Sequence, residues 1–157
     1  MESGNALCPL PYLPDSDSGR SALTSITHLS PKTDGETVAR ILIAEDRESM
    51  RKALKALLVM HPQWEVCGEA EDGDDAIVKA TQLKPDLIIM DFKMHHLDGL
   101  MAANEIFRTM PRVPIVMYTL YRNDEVEATA KLVGIRRVVG KEDGAHTLLK
   151  AIESELN

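Results

Sequence analysis

The stretch PDLIIMDFKMHHLDG, residues 85–99, decides the fold. Leu87–Met90 is a run of four apolar residues, short enough for a strand, and Pro85 stops any helix before it. A run without polar alternation is buried on both faces, as the central strand of a parallel sheet is. Asp91 follows at once. A carboxylate in that position stands at the C-terminal edge of the strand, where open α/β sheets hold their ligands.

Outward from this strand, segments with a strand pattern alternate with segments of helical period. Arg40–Ala44 (RILIA) reads as the first strand, and Glu48–Met60 as a helix with Met50, Leu54, Leu57 and Leu58 on one face, closed at His61–Pro62. Trp64–Ala70 is the second strand. Asp72–Gly73 then turns the chain into a helix with Ala76, Ile77, Ala80 and Leu83 inward. After the third strand, Asp86–Met90, come a helix over Leu100–Met110, a strand over Pro114–Thr119 and a helix over Asp124–Val133. Gly134 suits a left-handed C-terminal cap on that helix. Arg137–Gly140 makes a short fifth strand and Asp143–Leu156 a last amphipathic helix. Five strand–helix pairs joined right-handedly give a three-layer, doubly wound α/β domain, a (βα)5 parallel sheet in the flavodoxin-like order 2-1-3-4-5.

Residues 1–38 differ from the rest. They hold four of the eight prolines, many Ser and Thr, five acidic against two basic side chains, and no apolar period. Such a segment buries too little apolar surface to offset its ordering entropy, so a disordered N-terminal extension is expected, with the folded domain over residues 39–157. The sharper reading, a docking segment built on LCPLPYLP (residues 7–14), rests on composition alone. A formal charge of −7 gives no electrostatic case for direct nucleic-acid binding, which needs clustered Lys and Arg. Cys8 and Cys67 match no metal or redox spacing. Cys67 reads as a small buried hydrophobe and Cys8 as a tail residue in a reducing compartment. With no apolar run of about 18 residues and no signal-peptide pattern, a cytoplasmic location with no membrane partner is expected.

The polar residues that follow the strands carry the chemistry. After strand one come Glu45 and Asp46, after strand three Asp91, after strand four Thr119, and after strand five Lys141. Glu69 and Glu71, at the end of strand two, are expected further out. In the order 2-1-3-4-5, strands one and three adjoin, which brings three carboxylates into one crevice beside a hydroxyl and an ammonium. At about 5 Å and an effective dielectric near 20, each carboxylate pair costs roughly 3 kcal/mol. A divalent cation or raised carboxyl pKa values relieve that cost. An oxygen-only set favours Mg2+, which typically takes one or two carboxylates and a phosphate oxygen. This chemistry suits phosphoryl transfer with Asp91 as nucleophile, and Thr119 and Lys141 on the phosphoryl oxygens. Taken singly, Glu45-Asp46 reads as a helix-start device, Asp91 and Thr119 as loop residues, and Lys141 as a solvated charge. Their joint placement at four strand ends favours the common site.

With these residues in place, Arg40–Asn157 resembles the receiver domain of bacterial two-component response regulators. The resemblance rests on LIAED, LIIMDFKMHHLDG, PIVMYT and VVGKED. The segments RILIAEDRESMRKAL and WEVCGEAEDGDDAI are most similar to the subgroup usually fused to helix-turn-helix output domains; such an output is expected here only if the natural chain continues past Asn157. The resemblance implies that Asp91 accepts a phosphoryl group from a phosphohistidine on a sensor histidine kinase or phosphotransfer protein. It implies Mg2+ held by Asp46, Asp91 and the backbone carbonyl of Lys93, with Glu45 acting through a water, and phosphoryl contacts from Thr119 and Lys141. Output through the helix 4–strand 5–helix 5 face to a downstream protein, and a possible homodimer, are implied too.

Four residues depart from the family's pattern: Glu45 for Asp, His95 for the usual Pro, Leu120 for a small residue beside the switch Thr, and Val138 for a mobile aromatic. Leu120 is expected to restrict access to the phosphoryl pocket, while Tyr118 or Tyr121 supplies bulk where the aromatic is missing. His95 and His96 beside carboxylates make a transition-metal site conceivable, although exposed loop histidines are the plainer expectation. The competing functions are a receiver-like interaction module that works without phosphorylation, and an enzyme on the same architecture. An aspartyl-phosphate phosphatase wants an acid where Lys93 stands. A flavin protein wants a hydroxyl- and glycine-rich loop where Glu45-Asp46 stands. The expectation is therefore a switch that assists its own phosphorylation and dephosphorylation, without turning over an external substrate.

Overall fold

The computed structural model describes residues 37–157. All but the last two residues of the expected N-terminal extension lie outside them. Within them the chain runs β1 (Ala39–Ala44), α1 (Glu48–Val59), β2 (Trp64–Ala70), α2 (Gly73–Leu83), β3 (Leu87–Met90), α3 (Gly99–Thr109), β4 (Ile115–Thr119), α4 (Asp124–Leu132), β5 (Arg137–Gly140) and α5 (Ala145–Leu156). The strands form one parallel sheet in the order β2-β1-β3-β4-β5, as the alternation of elements requires.

The sheet separates two cores, and strand periodicity assigns side chains to each. Leu42, Ala44, Ile88, Met90, Ile115 and Met117 meet Ala76 and Ala80 of α2, Ala102, Ala103 and Ile106 of α3, and Ala130 of α4. Ile41, Ile43, Leu87, Ile89, Val116 and Tyr118 meet Leu54 and Leu58 of α1 and Leu148, Ala151 and Ile152 of α5. All four residues of β3 are buried, each contributing about 1.5–3 kcal/mol relative to exposure. The alanines on α2 and α3 let these helices lie close to the sheet and to each other.

Several boundaries differ from the sequence expectation. α3 begins one residue early, at Gly99, because Asp98 caps it by accepting the Met101 N–H at 2.9 Å. α5 begins at Ala145 rather than Asp143, because Lys141–Asp143 form a 3-10 turn and Gly144 takes φ 82. Gly134 does adopt the left-handed conformation expected beyond α4, at φ 86. The pairing of β1 with β2 skips a residue, from Ile41↔Val66 to Leu42↔Gly68, leaving Cys67 in a bulge. Cys67 is accordingly half-buried at the edge of the core rather than fully buried, and that burial raises its thiol pKa.

Candidate functional site

Register sets the site. Ala44 pairs with Ala70 on one side and Met90 on the other, so the chain leaves β1, β2 and β3 at one level. The Asp91 N–H donates to the Ala44 carbonyl at 2.9 Å, and the Glu45 N–H to that of Ala70 at 3.1 Å. These bonds hold the first residues beyond β1 and β3 side by side. Oxygens from Glu45, Asp46 and Asp91 consequently lie within 4.8 Å of one another. Glu45 and Asp91 are buried and Asp46 is partly exposed.

Lys141 reaches this cluster from the far end of the sheet. Its Nζ lies 2.6 Å from Glu45 Oε2, to which it donates, and 3.2 Å from Asp91 Oδ2, with the Tyr118 ring centroid at 5.9 Å. Glu45 thus uses the extra methylene that Asp lacks to meet a buried ammonium. Asp91 Oδ1 accepts the N–H of Phe92 at 2.8 Å. Burial raises the Asp91 pKa against the lowering by Lys141, and Glu45 adds to the rise. Thr119, the last residue of β4, is fully buried, and its hydroxyl oxygen accepts the Tyr121 N–H at 3.1 Å.

The remaining expected residues fall at the margin. Lys93 is exposed in the loop after Asp91, its ammonium 4.5 Å from the centroid of the Phe92 ring. Leu120 is more than half exposed, as is Tyr121, which meets Phe92 edge-on with 6.3 Å between centroids. Val138 is half-buried against the core on the α4 side, and also lines a shallow cavity of about 200 Å3 with Arg122, Glu127 and Lys131. His95 and His96 are both exposed, as expected of loop residues, yet His95 Nδ1 lies 2.8 Å from Asp46 Oδ2. His96 carries the turn, with φ 63, a conformation that costs a non-glycine residue about 1–2 kcal/mol.

Three supporting features escape sequence reading. Arg51 of α1 is buried and donates through Nη1 to the Glu45 carbonyl at 2.7 Å, while Nη2 meets Glu71 Oε1 at 3.2 Å. It ties the ends of β1 and β2 together. Gly99 and Gly73 let backbone pass where a side chain would not fit. A Cβ on Gly99 would stand 2.0 Å from the Asp91 carbonyl oxygen, and one on Gly73 2.3 Å from that of Leu97. The loop carrying Asp91 and Lys93 is therefore clamped at both ends, and the Gly99 N–H donates to the Phe92 carbonyl at 2.8 Å.

The donor set suits a hard divalent cation. Three carboxylates face two cations, the buried Lys141 ammonium and the half-exposed Arg47, whose Nε lies 3.3 Å from Glu45 Oε1, and each carboxylate pair repels by at least about 3.5 kcal/mol at an effective dielectric of 20. Asp46 has no Lys or Arg partner among the described residues and meets the exposed His95 imidazole instead.

Comparison with known proteins agrees with this geometry. The family profile described as response regulator receiver domain matches residues 41–153. A response regulator protein VraR of Staphylococcus saprophyticus is 33% identical over 118 residues, which cover 75% of this chain and 56% of the relative. A protein-glutamate methylesterase/protein-glutamine glutaminase 1 of Methanosarcina mazei is 39% identical over 124 residues, covering 78% of this chain and 34% of the relative. The chain thus spans between a third and just over half of these relatives' lengths. Among solved structures, the response regulator domain of Thermotoga maritima CheB superposes with a TM-score of 0.73 at 30% identity, over 77% of this chain and 98% of that one. A LuxR-family two-component response regulator from Aurantimonas gives 0.74 at 25% identity, over 76% and 86%.

Proposed function

The chain belongs to the response regulator receiver family, and from that premise we propose that it is a signalling switch whose phosphoacceptor is Asp91. The observation that carries this reading is the convergence of the Glu45, Asp46 and Asp91 carboxylates within 4.8 Å, with the Lys141 ammonium 3.2 Å from Asp91. An interaction module without phosphorylation has no use for three buried or half-buried carboxylates held in mutual repulsion.

A carboxylate oxygen of Asp91 attacks phosphorus, an acyl phosphate bond forms, and the bond from phosphorus to the donor's imidazole nitrogen breaks. Asp91 is buried, so water is restricted from the acceptor, and the Phe92 N–H holds its carboxylate in one orientation. Lys141 then loses one partner's free charge and gains a phosphoryl oxygen. Thr119 exchanges the Tyr121 N–H for the same group. Glu45, Asp46, Asp91 and the Lys93 carbonyl are the groups proposed to hold Mg2+, directly or through water; when bound, the ion neutralises charge on the phosphoryl oxygens.

Phosphorylation adds about −1.5 to −2 of charge, which draws Thr119 and Lys141 inward and shifts a pre-existing equilibrium. Arg122, three residues past Thr119, connects that movement to the α4–β5–α5 face. Its Nε lies 2.7 Å from Glu127 Oε1 on α4, and its Nη1 2.7 Å from Asp143 Oδ2, which also accepts the Gly140 N–H at 3.1 Å. The phosphodonor is a histidine kinase or phosphotransfer protein, and a downstream protein or second copy reads the face.

Incubation with acetyl phosphate and Mg2+, followed by intact mass measurement, tests the proposal. One added phosphoryl group is expected on the wild type, and none after chelation or in Asp91→Asn. Absence of the group under every condition, together with no response to beryllofluoride, favours the phosphorylation-independent module.

A further inference from the structure

Among the described residues the buried polar and charged side chains are Glu45, Asp91 and Thr119, which the proposed switch uses, and Arg51, which it does not. Arg51 stands in the first turn of α1, where its N–H donates to the Arg47 carbonyl at 3.0 Å. Its guanidinium turns back over the start of the helix. Nη1 donates to the Glu45 carbonyl at 2.7 Å and Nη2 to Glu71 Oε1 at 3.2 Å, while Nε lies 3.6 Å from Glu69 Oε2. On the Mg2+ site proposed above, which this reading requires, we infer that Arg51 is a positioning residue. By fixing the Glu45–Asp46 peptide it aims the Asp46 carboxylate at the ion.

The effect passes through one peptide plane. The carbonyl that Arg51 holds belongs to the peptide between the two acids, so fixing that oxygen fixes the nitrogen and Cα of Asp46 as well. On the other side of Glu45, its N–H donates to the Ala70 carbonyl at 3.1 Å, so the backbone entering Asp46 is pinned from both directions. Asp46 depends on this more than its neighbours do. Glu45 is held by Lys141 at 2.6 Å and Arg47 at 3.3 Å, and Asp91 by Lys141 at 3.2 Å and the Phe92 N–H at 2.8 Å. Asp46 has no Lys or Arg partner among the described residues, and the His95 ring it meets is exposed.

A guanidinium suits the task because its donors form a rigid fork, so one side chain serves a carbonyl and a carboxylate at once. Glu69 and Glu71 offset its charge, which limits its repulsion of a nearby cation. A role confined to stability has no need of it, since a well-packed apolar side chain often replaces a buried ion pair without loss. Such a side chain lacks the donor that the Glu45 carbonyl requires.

Calorimetric Mg2+ titration and urea unfolding of the full chain, as wild type, Arg51→Met, Arg51→Lys, Glu71→Gln and Asp46→Asn, provide the test. Glu71 is exposed and Glu69 keeps Lys55, so Arg51→Met strands no buried charge and is expected to fold. Its Mg2+ Kd should rise about tenfold, the scale of losses when a group behind a metal ligand is removed. The Mg2+ concentration for half-maximal labelling by acetyl phosphate should rise by the same factor. Arg51→Lys keeps the charge, but its ammonium is drawn to Glu69 and Glu71 rather than to the neutral carbonyl, so its Kd should rise at least threefold. If Arg51→Met fails to unfold cooperatively, Arg51→Lys decides. Glu71→Gln, which spares the carbonyl bond, should stay within twofold of the wild type. A Kd raised less than threefold in both Arg51 variants, whatever their stability, marks a purely structural side chain and overturns the inference, as does an equal loss in Glu71→Gln. The Mg2+ site itself fails separately, if the wild type binds no Mg2+ or Asp46→Asn binds it equally well.

Discussion

Replacing Asp91 by Asn should stabilise the metal-free protein. The two repulsions that Asp91 makes with Glu45 and Asp46, at no more than 4.8 Å, cost about 3.5 kcal/mol each at an effective dielectric of 20. The attraction to Lys141 at 3.2 Å returns about 5 kcal/mol on the same scale. The difference, about 2 kcal/mol, is released by an uncharged isostere, which also escapes the desolvation of a buried carboxylate. Asn keeps an oxygen for the Phe92 N–H, though an uncharged acceptor returns about 1 kcal/mol less. Urea unfolding in chelator near neutral pH should therefore show Asp91→Asn more stable by about 1–2 kcal/mol.

The sign of the pH dependence follows from the raised Asp91 pKa. A carboxyl raised on folding costs stability fully above its folded pKa and nothing below its unfolded value near 3.9. The advantage of Asn should thus shrink as pH falls through the folded pKa toward the unfolded one. Saturating Mg2+ should act the other way, because a ligand at a hundred times its Kd adds about 2.7 kcal/mol to the protein that binds it, here chiefly the wild type. An Asn variant less stable than the wild type in chelator at neutral pH would refute the electrostatic reading of the cluster.

Three further substitutions probe the surroundings. Lys141→Met removes the buried cation that compensates Glu45 and Asp91, so it should destabilise the metal-free protein by about 3–5 kcal/mol while tightening Mg2+ binding; unfolding and titration of the same sample check both halves. Gly99→Ala drives a methyl into the Asp91 carbonyl, which is backbone and cannot step aside, so a loss of about 1–3 kcal/mol and slower labelling by acetyl phosphate are expected. His96→Gly relieves a left-handed side-chain-bearing residue at some cost in unfolded-state entropy, so urea unfolding should find it unchanged or up to about 1 kcal/mol more stable.

The sheet was legible because its signals are local. Leu87–Met90 can hardly be anything but a central strand, and the five strand–helix alternations leave little choice of topology. The grouping of Glu45, Asp46, Asp91 and Lys141 followed from strand order alone, since each sits at a strand end. What escaped depends on tertiary neighbours. Arg51, a charge on a helix, reads as surface until the Glu45 carbonyl and Glu71 are seen around it. Gly73 and Gly99 read as turn residues, and only the passing carbonyls of Leu97 and Asp91 reveal why no side chain fits. The contact between His95 and Asp46 lies in a loop where His96 takes φ 63, and no periodicity encodes either feature. The late start of α5 and the bulge at Cys67 are likewise decided by local hydrogen-bond geometry rather than by the hydrophobic pattern.

The most direct measurement is the position of the phosphoryl group itself. After labelling with acetyl phosphate and Mg2+, borohydride reduction of the acyl phosphate and peptide mass mapping should place the modification at Asp91, with Glu45 and Asp46 untouched. A stable label on another residue, or a label at Asp91 that forms equally well in chelator, would contradict the account.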